Sequence, residues 1–366
     1  MARDIDTDEE SAHLLFQSMG AMEGVPAVAA VAPGRFAGLP GQRYLVSIYP
    51  GFLAAAMIAV ASTWLSQHYT APVMLFALLF GMAFHFLHEE GRCIAGIEFS
   101  SKAVLRVGVA LLGARITASQ MLGLGVVPIV TVVLGVTSTI TLGFLLSRLL
   151  GQSRSFGVLS GGAVGICGAS AALAIASVLP RTAESERDTI LAVVTVTALS
   201  TLAMIVYPIL ATAIGLDHVQ AGLFLGGTIH DVAQVVGAGY TISPQTGDIA
   251  TYVKLLRVSM LLPVVVLIAV VTTRGSSSIG AKTPVPWFLI GFAALVALNS
   301  FGLLAAPVTN VASDVSRWCL VTAIAALGMK TSFKALVAVG WKPVALMVAE
   351  TCWIGALVLG IVRLQL

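Results

Sequence analysis

The sequence predicts an all-α polytopic membrane protein of about 10–11 transmembrane segments, with inverted-topology repeats and broken helices. Three observations predict it. Hydrophobic residues make up 58% of the 366 and charged residues only 10%, with a mean hydropathy of +0.97, far from the balance of a water-soluble domain. Apolar runs of about 20 residues, the length a helix needs to cross a hydrocarbon core, recur from Tyr44 to the C-terminus. One sequence unit also occurs twice, at a constant shift of 215 residues.

Residues 1–43 open with Asp4, Asp6, Asp8, Glu9 and Glu10 and continue in Ala, Pro and Gly. They lack the basic and apolar regions of a signal peptide and are expected to form a largely disordered cytoplasmic tail. Residues 44–366 form the transmembrane domain, with crossings expected at about 45–66, 72–88, 103–118, 121–148, 156–179, 189–214, 219–240, 250–273, 285–305, 314–330 and 341–364. If all cross, twelve Lys and Arg fall on the N-terminal side and seven on the other, which places the N-terminus in the cytoplasm. A formal charge of +3, scattered beside the spans, gives no footprint for nucleic acid.

The repeat pairs Leu105 with Leu320, Leu112 with Leu327, Gly113 with Gly328, Arg115 with Lys330, Gly125 with Gly340 and Pro128 with Pro343. The repeat-related segments are 105–148 and 320–363. An odd number of crossings between the copies inverts the second, an arrangement typical of transporters with a site near the midplane.

The fifth run, 156–179, contains GGAVGICGAS at Gly161–Ser170. Glycines at 157, 161, 162, 165 and 168 weaken a continuous helix there, and a break at membrane depth is tolerated only against protein or a wet cavity. Half-helix ends at such breaks bind ions. The competing reading is a small-xxx-small packing face formed by Gly161 and Gly165. Gly162, Gly165, Cys167, Gly168, Ala169 and Ser170 are the substrate-binding candidates of this stretch.

The second Gly-rich segment, Gly222–Gly239, carries GGTIHDVAQVVGAG. On a continuous helix Thr228, His230, Asp231 and Gln234 share an arc of about 160°. Intramembrane ionisable groups are costly and mark function, so His230 and Asp231 are proton-coupling candidates, with Thr228 and Gln234 orienting the solute. Alternatively His230 and Asp231 cap a loop between two helices.

Among basic residues, Arg106 lies inside a span, and Arg115 and Lys330 are repeat-related, so the three could flank an anion pathway or snorkel to headgroups. Lys254 and Arg257, one helical turn apart before an apolar run, read most simply as interfacial anchors, with pairing to Asp231 as the lesser alternative. HFLHEE at His85–Glu90 lacks the order of a zinc-protease motif and reads as a solvated span end. Cys93, Cys167, Cys319 and Cys352 have no metal-ligand spacing, and the last three read as buried packing residues. No metal and no cofactor is expected.

With these motifs in place, the chain resembles the YeiH family of bacterial inner-membrane proteins, a UPF0324-type group also named for sulfate export. The resemblance runs from about Leu45 to the C-terminus. It is carried by FSSKAVLRVGVALLGARIT (Phe99–Thr117), GGAVGICGASAA (Gly161–Ala172), IHDVAQVVGAG (Ile229–Gly239), KLLRVSMLLP (Lys254–Pro263) and AIAALGMKTSF (Ala323–Phe333). Asp231 stands where the family's pattern has Glu after His. The resemblance implies a fold like that of the bile-acid/sodium symporter and sodium/proton antiporter superfamily, a homodimer, and an anionic sulfur-containing substrate.

The expected function is secondary transport, export of sulfate, sulfite or an organosulfonate, with a proton or sodium as coupling ion. Backbone N–H groups at Gly162–Ser170 would hold the anion. Two other readings stand beside it: a cation/proton antiporter using Asp231, and an intramembrane enzyme using Cys167 or the His230 and Asp231 pair, which an inverted repeat does not explain.

Overall fold

The computed structural model describes residues 40–69, 72–89, 91–180, 184–272, 287–331 and 341–364. The expected tail lies outside the described residues up to residue 39, and the first helix begins at Pro40. Among the described residues every regular element is helical. Among the described residues six helical stretches are long and apolar enough to cross a membrane: Tyr44–Tyr69, Val127–Leu149, Arg187–Ala213, Pro244–Thr272, Ala306–Lys330 and Trp341–Leu364. Shorter helices occupy the other five expected crossings, and the two Gly-rich runs, 156–179 and 219–240, are each interrupted, as expected of broken helices.

The chain divides into two compact units, Met1–Gly108 with Arg317–Ala338, and Val109–Ser316 with Val339–Leu366. In the first, α1 (Pro40–Tyr69) packs on α2 (Val73–Ala83) and, past the short α3 (Phe86–Glu89), on α4 (Ile94–Phe99). A π turn at Ser100–Val104 joins α4 to α5 (Leu105–Leu112). Glu98 lies 2.8 Å from Lys330, 2.9 Å from Lys102 and 3.2 Å from His88, and His85 Nδ1 donates to Met329 O at 2.6 Å. His88 is buried. The HFLHEE segment is therefore not simply a solvated end: its two histidines tie it to neighbouring elements, while Glu89 stays exposed and Glu90 lies outside the described residues.

The second unit holds α6 (Ala118–Leu122), α7 (Val127–Leu149), α8 (Arg154–Gly165), α9 (Ala169–Ala176), α10 (Ser185–Ala213), α11 (His218–Thr228), α12 (Val232–Ile242), α13 (Pro244–Ser259), α14 (Leu261–Thr272), α15 (Trp287–Ser300) and α17 (Trp341–Leu364); α16 is Ala306–Lys330. Its closest packing is α7 on α8, where a Cβ on Gly157 would overlap Gly143 O and one on Gly143 would overlap Gly157 O and Glu350 Oε1. Of the expected packing pair, Gly161 is tightly packed against α7 and Gly165 is not; the close approach is made by Gly157 and Gly161, and the break follows it.

Shifting α7 by 215 residues places it at 342–364, one residue inside the start of α17. The paired glycines also pack alike, because a Cβ on Gly113 would overlap Phe292 O and one on Gly328 would overlap Leu78 O. Leu78 shifted by 215 falls at 293, next to Phe292. Gly340, one member of the expected pairs, lies outside the described residues.

Outward faces of these helices carry large apolar side chains, among them Trp64, Val126, Ile209, Leu267, Val311 and Trp353. Cys352 is exposed on such a face and Cys319 is half-buried, so of the three cysteines expected in the core only Cys167 is there. A residue's place in an apolar run does not tell which side of the helix meets protein and which meets lipid.

Candidate functional site

The site is built from two interrupted helices whose breaks lie against each other inside the second unit. α8 ends at Gly165, Ile166–Gly168 depart from helical geometry, and α9 restarts at Ala169. α11, begun by a capping box of Asp217 and Gln220, ends at Thr228, and α12 restarts at Val232. Gly168 packs against His230, its Cβ position 3.8 Å from the His230 carbonyl group.

Each break leaves the last carbonyls of one half-helix and the first N–H groups of the next without helical partners. The carbonyls are met by α13. Lys254 Nζ donates to Ile166 O at 2.7 Å, to Ile229 O at 3.1 Å and to His230 O. Arg257 donates from Nε to Gly165 O (3.0 Å), from Nη1 to Ile229 O (3.0 Å) and Gly226 O (3.3 Å), and from Nη2 to Val164 O (2.8 Å). Lys254 is 0% exposed and Arg257 1%. These two are thus not interfacial anchors but the caps of both carbonyl ends, where positive charge suits the negative pole of each helix. Their reach is possible because glycines bring α13 close: Cβ atoms on Gly226 and Gly239 would collide with Ala250 and Gly247.

The N–H ends are treated unequally. Asp231, half-buried, caps α12 by accepting from Ala233 N at 2.7 Å, and its own N–H donates to Ser200 Oγ at 3.0 Å. α9 starts on Gly168, at φ 70° and ψ −135°, with no side-chain cap. Ala169 is half-buried and Ser170 exposed, so this uncapped turn is reachable.

His230 is 0% exposed and clamped, Nδ1 donating to Val164 O at 3.1 Å and Nε2 lying 3.1 Å from Thr351 Oγ1 on α17. The arc expected for Thr228, His230, Asp231 and Gln234 is corrected, because the helix is interrupted at 229–231 and the four do not share a helical face. The loop-cap alternative describes Asp231, although the loop is inside the protein. Thr228 donates to Phe224 O at 2.6 Å within its own helix and is not placed to donate to a solute. Gln234 Nε2 donates to Thr201 Oγ1 at 2.9 Å, and its Oε1 is buried without a partner among the described residues.

Of the six candidates in the first stretch, Gly168, Ala169 and Ser170 lie at the uncapped turn. Gly162 and Gly165 do not: a Cβ on Gly162 would overlap Ile175, and Gly165 O serves Arg257. Their N–H groups belong to the body of α8, where helical bonding uses them. Cys167 is buried within the break, its sulfur against the Ala171 N–H in the first turn of α9.

Of the basic trio, Arg115 Nη2 lies 3.5 Å from Asp248, which accepts from Tyr240 as well, and Lys330 lies 2.8 Å from Glu98, which Lys102 shares. Arg106 is exposed on α5. Sequence reasoning missed Ser200, Thr201 and Thr351, ordinary helix residues whose role comes from packing, and Glu350, a lone acid in an apolar run. Among the described residues no cluster could hold a metal ion.

A family profile described as conserved hypothetical protein 698 matches residues 50–347. A UPF0324 membrane protein of Chlorobaculum tepidum is 58% identical over 316 residues, covering 85% of this chain and 88% of that protein. One from Rhizobium meliloti is 52% identical over 314 residues, covering 85% and 91%. The UPF0324 membrane protein TauZ of Paracoccus denitrificans is 50% identical over 325 residues, covering 87% and 96%.

Proposed function

The chain belongs to the UPF0324 family of membrane proteins, and we propose that it is a secondary transporter of a small sulfur-containing oxyanion such as sulfate, sulfite or an organosulfonate. One observation carries the reading. Both carbonyl ends at the breaks are capped by buried cations, α12 is capped by Asp231 and Cys167 meets the Ala171 N–H, which leaves the Ala169 and Ser170 N–H groups as the uncapped, reachable donors. A helix N-terminus with free N–H donors favours an anion. Backbone N–H groups of Ala169 and Ser170 and the Ser170 hydroxyl would donate to it, and Gly168 allows close approach.

Two paired glycines with matching contacts and the coincidence of α7 with α17 after the shift support an internal repeat, inverted as in transporters. The membrane is the bacterial inner membrane under this reading, with the tail in the cytoplasm. Purified protein in proteoliposomes is expected to carry at least one of labelled sulfate, sulfite and taurine. Flux of none of the three would overturn the substrate class.

Asp231 favours a second reading, cation/proton antiport, since it is a half-buried carboxylate at a break. Asp231→Asn separates the two. Asn still accepts from Ala233 N, so anion flux persists under the first reading, whereas sodium-driven proton movement, followed with a pH-sensitive dye, is lost under the second. Asp231→Ala removes the cap and is expected to cost about 1 kcal/mol of stability under either.

A further inference from the structure

Glu350 lies on α17, 0% exposed, in the seam between α7 and α8. Its Oε1 accepts from Ser160 Oγ of α8 at 2.7 Å and lies so close to Gly143 of α7 that a Cβ there would overlap it. Its Oε2 is buried with no partner among the described residues.

Of the described titratable side chains on the elements that pack against α17, Tyr207 of α10 reaches Gly355, five residues past Glu350, and the others stand at helix ends: Arg148 on α7, Arg154 on α8, Arg187 and Asp188 on α10, and His218 on α11. Arg148 and Arg154 are exposed, and on α17 itself Lys342 and Arg363 are eight and thirteen residues away. Lys254, Arg257 and His230, beyond the neighbouring Thr351, are spent on carbonyls. None of these forms an ion pair with Glu350 among the described residues.

A carboxylate buried with a single hydroxyl donor and no cation is the costly form, and a proton on Oε2 removes the charge. We propose that Glu350 is an exchangeable proton site that couples the transport cycle to protons. The inference rests on the transporter reading and names its coupling ion. In the resting form Oε2, buried without a partner among the described residues, would carry the proton. On release the O–H bond breaks, the proton passes to water, and the carboxylate left behind needs donors that this packing does not supply. Loss of the proton therefore favours movement of α17 against α8. The end of α8 carries Val164 O, shared by His230 and Arg257, and α9 follows directly, so that movement reaches the uncapped turn.

Infrared spectra of the vesicle-reconstituted full chain test this, with sulfate, sulfite and taurine as the solute probes. The C=O band of a neutral buried acid is expected at neutral pH, absent in Glu350→Gln, moved to higher frequency in Ser160→Ala, which removes the donor to Oε1, and shifted in D2O buffer. Flux of whichever probe is carried is expected to depend on a pH gradient in the wild type and to lose that dependence in Glu350→Gln. A band retained in Glu350→Gln, a band that never shifts in D2O, or gradient dependence that survives the substitution would each overturn the proposal. If the wild type carries no probe, the transporter reading fails by that result, while the band and its D2O shift still decide whether Glu350 holds an exchangeable proton.

Discussion

Arg257→Met is expected to lower the thermal stability of the detergent-purified protein severely, with most of the expressed chain lost as aggregate on size-exclusion chromatography. Arg257 is 1% exposed and donates to four backbone carbonyls from two half-helices. Two of these keep another donor, Val164 O from His230 and Ile229 O from Lys254. Gly165 O and Gly226 O lose the side-chain partner, at about 1–3 kcal/mol each for a buried unsatisfied group. The sum is a large part of a typical net stability of about 5–15 kcal/mol. Arg257→Lys is expected to recover only part of the loss, because an ammonium lacks the planar fork that spans both helix ends. An interfacial anchor would behave otherwise: its replacement by Met would leave stability within about 0.5 kcal/mol, as for ordinary surface changes.

Gly168→Ala is expected to abolish flux while leaving a folded protein. At φ 70° and ψ −135° Gly168 occupies backbone space that is essentially closed to residues with a Cβ. Forcing alanine there costs about 1–3 kcal/mol, and the chain relieves it by turning the peptide that begins α9. The N–H groups of Ala169 and Ser170 then point elsewhere. Gly215→Ala is the matching control, since Gly215 has φ +70 with open space around it at the end of α10, away from the breaks. It is expected to lose comparable stability and to retain flux. Equal loss of flux in both variants, measured on vesicles with equal amounts of folded protein, would remove the special role of the α9 turn.

Much of the fold was legible because apolar run length and glycine clustering are local properties. The run 156–179 gave both the α8–α9 interruption and its packing face, though not the boundary at Ile166–Gly168, which depends on contacts with His230. The second segment misled where a continuous helix was assumed: a helical arc has no meaning across 229–231. Lys254 and Arg257 were misread because a basic residue opening an apolar run looks the same whether it meets headgroups or carbonyls. Their partners at Ile166 and Val164 lie 88 and 93 residues away in sequence, and only the packing of α13 brings them together. The carboxylates beside Arg115 and Lys330 were invisible for the same reason, being distant in sequence. Glu350 had a visible signal, a single acid within ALMVAETCW, and the rule that makes intramembrane ionisable residues candidates applied to it as fully as to His230.

The central claim is that an oxyanion completes the first turn of α9. Selenate and selenite, the heavier counterparts of sulfate and sulfite, allow it to be observed directly by anomalous scattering from crystals of the protein soaked in either. The predicted result is a selenium peak at Gly168–Ser170, within hydrogen-bond reach of the Ala169 and Ser170 N–H groups, and missing from Gly168→Ala crystals. Selenium density confined to other sites, or an α9 turn that stays empty at saturating anion, would contradict it.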